Sequence, residues 1–409
     1  MGVRKLNKFL TERNVINIYH NLQEFINSIN PRNNSKTGRI VIAIDFWLYA
    51  HKFLHSRRAE NILLGFWNQI MKLLSHGAIP LYVMDGSIPI EKFEKIDERN
   101  KKITNYKKRL EYIDEEIEKF ININDLLHDN ATDDVSDIDI NITDNTDQTD
   151  HTDNTDHHRT DDINRMDDII STDSVDTDAI HEYDLEFLYE KREKIYKHVK
   201  RIKTQDLYNI YRLFDVLEIP YVRAEFEADA LCAKLYKDNI ITCCLSDDMD
   251  MLALGCGSTI KFHEGTLIEF NLDQIRSKLE FSQEQFIDMC IMFGCDYLRH
   301  PVRIGCDDAY SLIKKHGSLL DALCSNEHEY FNMSNRNVQV IGDNYYQVKD
   351  IYLKSCDKET IPNYLVDIKM QKISFDNLTI FLKRLKWFDT SFRTLKTIEA
   401  HIVSINSKI

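Results

Sequence analysis

The sequence predicts an α/β fold, with a mainly parallel central sheet and helices on both faces. Short apolar runs carry that expectation. Ile40-Val41-Ile42-Ala43-Ile44, Pro80-Leu81-Tyr82-Val83-Met84 and Ile241-Thr242-Cys243-Cys244-Leu245-Ser246 read as strands buried on both sides. Stretches of helical periodicity separate them, as the crossovers of a parallel sheet require. Each run is also followed closely by acid: Asp45, Asp85, and Asp248 with Asp250. Ligands of parallel sheets bind beyond the carboxyl ends of the strands, where these acids fall.

In chain order, the pattern predicts a strand near 39–44, helices across 46–76 and a strand near 79–84. Residues 91–120 read as one long helix and residues 182–217 as a second. A strand near 219–222, a helix over 225–237, the strand at 241–246 and further pieces near 258–270 follow. Helices are expected at 271–279 and 282–293, and a mostly helical remainder from Asp296 onward, with the weakest signal over 327–380. The expected segments are therefore 1–120, an acidic insert at 121–181, 182–325, and a C-terminal extension at 326–409.

The chain has 409 residues, 43% of them hydrophobic, enough for one large domain or two smaller ones. It contains no apolar run of about 18 residues, so no membrane span is expected. Met1-Gly2-Val3-Arg4-Lys5-Leu6 has no hydrophobic signal core, and Leu6 stands where a myristoylation signal wants Ser or Thr. Nine cysteines occur without CxxC pairs, several inside apolar runs (Cys243, Cys244, Cys290). That usage implies free thiols in a reducing, intracellular compartment, with neither disulfides nor a zinc site.

The net charge of −15 is local. Residues 129–178 hold 17 Asp, no Glu, 2 Arg and no Lys, so this one segment carries the whole excess and the remainder is balanced. Five tandem Thr-Asp-x triplets run from Thr143 to His157. Such a composition cannot bury enough apolar area to offset its ordering entropy, and disorder is expected. It also lacks the glycine turn and terminal Glu of a calcium loop. The flanking helices are basic. Lys92, Lys95, Arg99, Lys101, Lys102, Lys107, Lys108 and Arg109 lie before the insert. Lys191, Arg192, Lys194, Lys197, Lys200, Arg201 and Lys203 lie after it. Basic helices are often only solvated faces. Between Asp85 and Glu227, a cationic gateway for phosphate is the better reading.

Seven carboxylates form the candidate metal site: Asp45, Asp85, Glu227, Asp229, Asp248, Asp250 and Asp296. Hard oxygen donors with few histidines suit Mg²⁺, with Mn²⁺ as the alternative, rather than zinc. Glu227 and Asp229 lie two apart near a helix start, where acids also serve as partners of the helix dipole. Ser246-Asp247-Asp248-Met249-Asp250 ends a buried strand in three acids, and one helix cap, assigned to Asp247, cannot account for all three. Asp296, in Gly294-Cys295-Asp296-Tyr297, would alone read as a turn residue. The chemistry that fits is phosphodiester hydrolysis with two metal ions. Lys92 and Arg99, seven apart on one helical face, are the candidate catalytic cations for the attacked phosphate.

These residues resemble the flap endonuclease branch of the XPG-type structure-specific 5′ nucleases. The resemblance runs from the N-terminus to about residue 325, outside the insert, with a weaker echo from Phe381-Leu382 to Ile398. Met84-Asp85-Gly86-Ser87-Ile88-Pro89, Glu227-Ala228-Asp229-Ala230, Ser246-Asp247-Asp248-Met249-Asp250 and Phe286-Ile287-Asp288-Met289-Cys290-Ile291-Met292-Phe293-Gly294-Cys295-Asp296-Tyr297 are similar to the family's motifs. The resemblance implies a PIN-like nuclease core, a helical arch and a helix–two-turn–helix element. It also implies Mg²⁺-dependent cleavage of 5′ flaps, or 5′ exonuclease action, on DNA in replication, repair or recombination. The implied DNA contacts are Gly2, His51 (where the family usually has Tyr), Lys95, Lys102, Lys194, Arg201 and Gly305.

The sequence also departs from the family. Its Gly-Ile-Gly-Pro hairpin reads Arg303-Ile304-Gly305-Cys306-Asp307-Asp308 here, with acids where basic residues are usual. Ser407-Lys408-Ile409 carries no recognisable sliding-clamp peptide, and a monomer is expected. The Asn, Ile, Lys and Asp-rich composition suggests the AT-rich genome of a large DNA virus, and so a location in the nucleus, or in the host nucleus or cytoplasm. A DNA-junction scaffold without catalysis and a single-strand ribonuclease are the rival readings. One hypothesis is that the polyanionic insert mimics DNA and competes for the basic surface nearby. Deleting residues 129–180 is therefore expected to tighten DNA binding at low salt, measured by fluorescence anisotropy, and unchanged affinity would remove the idea.

Overall fold

The computed structural model describes residues 3, 5–29, 39–56, 62–87, 89, 92–130, 183–298, 304–325, 335–385 and 391–408. Two units are distinguished, residues 1–100 with 200–409, and residues 101–199. The acidic repeats, Gly2 and Arg303 lie outside the described residues.

The larger unit is built on a seven-stranded sheet of order β1-β7-β6-β5-β2-β3-β4. Its strands are β1 (Asn17–Tyr19), β2 (Ile40–Asp45), β3 (Ala78–Met84), β4 (Tyr221–Arg223), β5 (Cys243–Leu245), β6 (Ser258–His263) and β7 (Thr266–Asn271). The block β6-β5-β2-β3-β4 is parallel, while β7 pairs antiparallel with β6 and with β1. Every residue of β3 is buried. Because successive side chains point to opposite faces, both faces of the sheet are covered there. Helices Phe46–Leu54 and Ile62–Ser75 pack on β3, and helix Ala228–Lys237 packs on β2, β3 and β5. Pro80 is tolerated in this buried strand because β4 pairs only with Tyr82–Met84, leaving β3 without a partner on that side at residue 80. Glu264 and Gly265, both at positive φ, close the tight β6–β7 hairpin.

The three apolar runs form strands as expected, but three local expectations are corrected. Helix Leu6–Glu12, β1 and helix Leu22–Ser28 precede the first expected strand. A three-residue strand is too short to show a period, and β1 gains its pairing from distant β7. The helix expected over 182–217 is two helices, Tyr183–Val199 and Thr204–Val216. Lys203 is extended, and its N–H donates to the Asp206 carboxylate at 2.9 Å, starting the second helix afresh. The helix expected to begin at 225 starts at Ala228, with Glu227 at its N-cap position. In the connection 294–305, between helices Gln283–Phe293 and Cys306–His316, residues 299–303 lie outside the described set.

Residues 101–199 contain two helical stretches, the C-terminal part of helix Phe93–Asn130 and helix Tyr183–Val199. Ile113, Ile117 and Phe120 are buried, Tyr106 stacks on His198 at 4.5 Å, and Arg192 pairs with Asp114. Lys102 and Lys194 are exposed.

Under β3 the core is aromatic. Tyr82 stacks on Phe214 with ring centres 4.4 Å apart, Phe66 meets both rings edge-on, and the Tyr82 hydroxyl donates to Gln69 at 2.8 Å. Phe214 is completely buried. Phe214→Ala is expected to cost about 3–5 kcal/mol of stability, read from urea unfolding, because the stacked rings cannot collapse into the vacated volume.

Candidate active site

Four neighbouring strands, β5, β2, β3 and β4, end at one basin. β3 lies on one side of β2 and β5 on the other, so the winding reverses at β2 and opens a crevice above it. Asp45, Asp85, Glu227, Asp229, Asp248 and Asp296 line this crevice with Lys92, Arg99 and His51. Asp250 lies beneath, only 1% exposed.

Backbone groups hold several of the acids. Asp45 ends β2, and its Oδ1 accepts from Leu48 N–H at 3.1 Å, capping helix Phe46–Leu54. Asp85 Oδ1 accepts from Ala228 N–H at 2.9 Å and so joins the end of β3 to the start of helix Ala228–Lys237. Between them, Gly86 N–H donates to Phe226 O at 2.7 Å. A Cβ on Gly86 would lie 2.1 Å from Ala224 O, so only glycine permits this approach. The cap assigned to Asp247 is not formed: helix Asp250–Ala253 has Met249 at its N-cap position, with no side-chain capping bond. Asp248 Oδ1 instead accepts from Asp250 N–H at 3.0 Å in a local turn, while Asp247 pairs with Lys52 at 2.7 Å. The chain turns at Ser246, whose hydroxyl accepts from Asp248 N–H, and this turn aims Asp247 outward. Asp296 follows Gly294, which ends helix Gln283–Phe293 at φ 95°, and approaches Arg99 at 3.4 Å.

Tyrosines and Lys92 hold the rest. The Tyr297 hydroxyl donates to Glu227 at 2.7 Å, and the Tyr352 hydroxyl to Asp250 at 3.0 Å. The Lys92 ammonium pairs with Glu227 and sits 4.9 Å above the Tyr297 ring.

The basin is short of positive charge. Burial, aided by the Asp85 charge, pushes Asp45 up to about 7. Burial and Asp248 push Asp250 up to about 8. Burial, then Asp248 and Asp45, hold Asp229 well above the carboxylate range, and burial raises Asp248 too. Burial opposes the charge of Lys92, but Glu227 and Asp229 more than offset it and hold the amine above its usual range. Asp229 Oδ1 is buried without a hydrogen-bond partner. An orphaned oxygen among hard oxygen donors fits a divalent cation. Among the described residues, however, no three His, Cys, Asp or Glu side chains close around one point as a formed metal shell. Lys92 supplies counter-charge to these acids.

A cationic rim borders the acids. Burial first, then the charges of His55, Arg201 and Arg99, lower the His51 pKa, so these groups are electrostatic neighbours. Arg223 lines the basin as well, its Nε donating to Asp85 O at 3.2 Å. Gly305 does not line it. Gly305 stands at the N-cap of helix Cys306–His316, in whose first turn Asp307 pairs with Arg13 at 2.8 Å. Lys102 and Lys194 belong to the other unit. Gly2 and the side chain of Lys95 lie outside the described residues. Sequence reasoning missed Arg223 and the two tyrosines. Tyr297 had a signal in its place beside Asp296. Tyr352 is 102 positions from the acid it serves and had none.

The sheet order and the acid basin at its switch point define a PIN-like α/β fold. Residues 218–296 match the XPG I-region. A flap endonuclease 1 of Trypanosoma brucei brucei is 31% identical over 231 residues, covering 54% of this chain and 56% of the relative, so the chain spans about half the length of that relative. A probable RAD2-like endonuclease of Invertebrate iridescent virus 6 is 23% identical over 393 residues, 89% of this chain and 83% of the relative. The catalytic core of Rad2 in complex with DNA substrate shares the fold at a TM-score of 0.57 and 16% identity, over 99% of this chain and 100% of that one. Human GEN1 in complex with Holliday junction DNA does so at 0.54 and 14%, over 100% and 78%. The chain is thus similar to XPG-type nucleases, over residues 218–296 by the family match and over most of its length in fold.

The raised Asp250 pKa has a consequence for stability. The folded carboxyl holds its proton up to about pH 8, whereas an unfolded aspartate holds one only near its ordinary 3.8. Stability contributed by that proton is present at low pH and is lost as pH rises through about 8. In EDTA, Asp250→Asn is therefore expected to raise Tm over wild type by an amount that grows between pH 5 and pH 8, followed by thermal melts across that range.

Proposed function

We propose that the chain is a metal-dependent, structure-specific 5′ nuclease that hydrolyses phosphodiesters in flapped or branched DNA and acts as a monomer. One observation carries the reading: a basin of acids at a sheet switch point, bordered by Lys92, Arg99, His51 and Arg201. Acids held close together against their own repulsion have a use only if cations and a phosphate join them. The names of the flap endonuclease and RAD2-like relatives agree with this chemistry.

Asp45, Asp85, Glu227 and Asp229 would hold mainly one Mg²⁺ and Asp248, Asp250 and Asp296 mainly the other, with Mn²⁺ as a substitute. Such ions, when bound, acidify the attacking water and stabilise the leaving oxygen. The chain's own residues have separate tasks. Lys92 and Arg99 exchange their present partners, Glu227 and Asp296, for the oxygens of the scissile phosphate. Because both leave acids as they bind substrate, their charge serves the basin in each state. Arg201 and Arg223 steer the approaching backbone, and His51 offers a ring for stacking on a base. Gly2, Lys95, Lys102, Lys194 and Gly305 are the further proposed DNA contacts.

The test is cleavage of a 5′-labelled flap duplex with Mg²⁺, against EDTA and against Asp248→Ala. Metal-dependent products near the junction are expected, abolished in Asp248→Ala while flap binding remains measurable. Tight flap binding without cleavage under Mg²⁺ and Mn²⁺ alike would instead support a junction scaffold, and cutting confined to RNA a ribonuclease.

A further inference from the structure

Helix Asn335–Lys358 contributes no acid to the basin, yet one of its faces is bonded to segments that carry the acids. Tyr345, Lys349, Tyr352, Cys356 and, just past the helix end, Glu359 recur at intervals of four, three, four and three residues, the spacing of a single helical stripe. A buried stripe is ordinarily apolar. This one is polar, with Tyr352 1% and Glu359 3% exposed, so each group needs a partner.

The partners form a series. Tyr345 donates to Asp288 at 2.8 Å and Lys349 pairs with it at 3.1 Å, on the helix whose end delivers Gly294 and Asp296. Tyr352 donates to Asp250 at 3.0 Å and stands edge-on to Tyr297, which serves Glu227. Cys356 meets the Lys237 ammonium at 3.5 Å, on the helix that Glu227 starts. Glu359 accepts from Glu225 N–H at 2.8 Å and Phe226 N–H at 2.9 Å, the two residues before Glu227. Four segments that carry or adjoin basin acids are thus gripped by one rigid rod.

We infer that this helix is a template that sets the spacing of the basin carboxylates, with Tyr352 and Glu359 as its positioning residues. The catalytic side of the inference rests on the nuclease reading. A template differs from glue in what its loss changes. Partners of this kind fix the orientation of acids that contact the reacting groups, and their removal typically lowers activity about 10–100-fold without touching substrate contacts.

The experiment uses the full chain with Tyr352→Phe, which removes one hydroxyl, and Glu359→Gln, which keeps the shape but sets an amide against a backbone N–H. Flap cleavage, thermal melting and amide hydrogen exchange are read on each. Both variants are expected to lose about tenfold or more in kcat, with KM held within about twofold. In Glu359→Gln, exchange of the Glu225 and Phe226 amides is expected to quicken about tenfold while the sheet strands are unaffected. Wild-type kcat in both variants overturns the template. So does a loss of kcat that merely follows equal losses in Tm and flap binding, the signature of a structural role. If wild type cuts no flap, the nuclease reading fails by itself. Selective quickening at Glu225 and Phe226 would then still uphold the template, and unaltered exchange there would overturn it.

Discussion

Like charge held in a buried place is the constraint on which this structure depends. Carboxylates collected at the ends of β2, β3, β4 and β5 repel one another, and burial strips away the water that would screen them. The surrounding architecture answers that repulsion group by group. Leu48, Ala228 and Asp250 give N–H bonds to Asp45, Asp85 and Asp248. Tyr297 and Tyr352 give hydroxyls to Glu227 and Asp250, and Lys92 gives its charge to Glu227. Asp229 Oδ1 is left without a hydrogen bond. The arrangement is costly as a fold, and the proposed cations would relieve that cost.

Much of this was legible in the sequence because it was local. A buried strand followed by acid shows itself as an apolar run ending in Asp, and β2, β3 and β5 all did so. Glycine at 294 announced the helix end before Asp296. The parts that stayed hidden depend on distant pairing. β1 has three residues and exists as a strand only because β7 lies beside it. Lys203 breaks a helix that periodicity had drawn as continuous, through a backbone bond to Asp206. Asp247 and Asp248 are adjacent acids with identical local propensity, and only Lys52, brought in by the fold, gives Asp247 its partner.

The region with the weakest pattern, 327–380, contains the residues that complete the basin from behind. Its helix could not be recognised as functional from composition, because a stripe of Tyr, Lys, Tyr, Cys and Glu looks like neither a core face nor a motif. The meaning of each residue lies in a partner elsewhere in the chain. Polar groups buried in this way tolerate little error, since a lost partner leaves the other stranded.

The grip of Glu359 on the loop before Glu227 also bears on biosynthesis. Domains assemble as the chain emerges, earlier segments first. β2 and β3 can pair early, but the loop that presents Glu227 acquires its last two hydrogen bonds only after residue 359 has been made. A growing polypeptide therefore carries its acids long before it can hold them in register, and the finished geometry arrives late in synthesis.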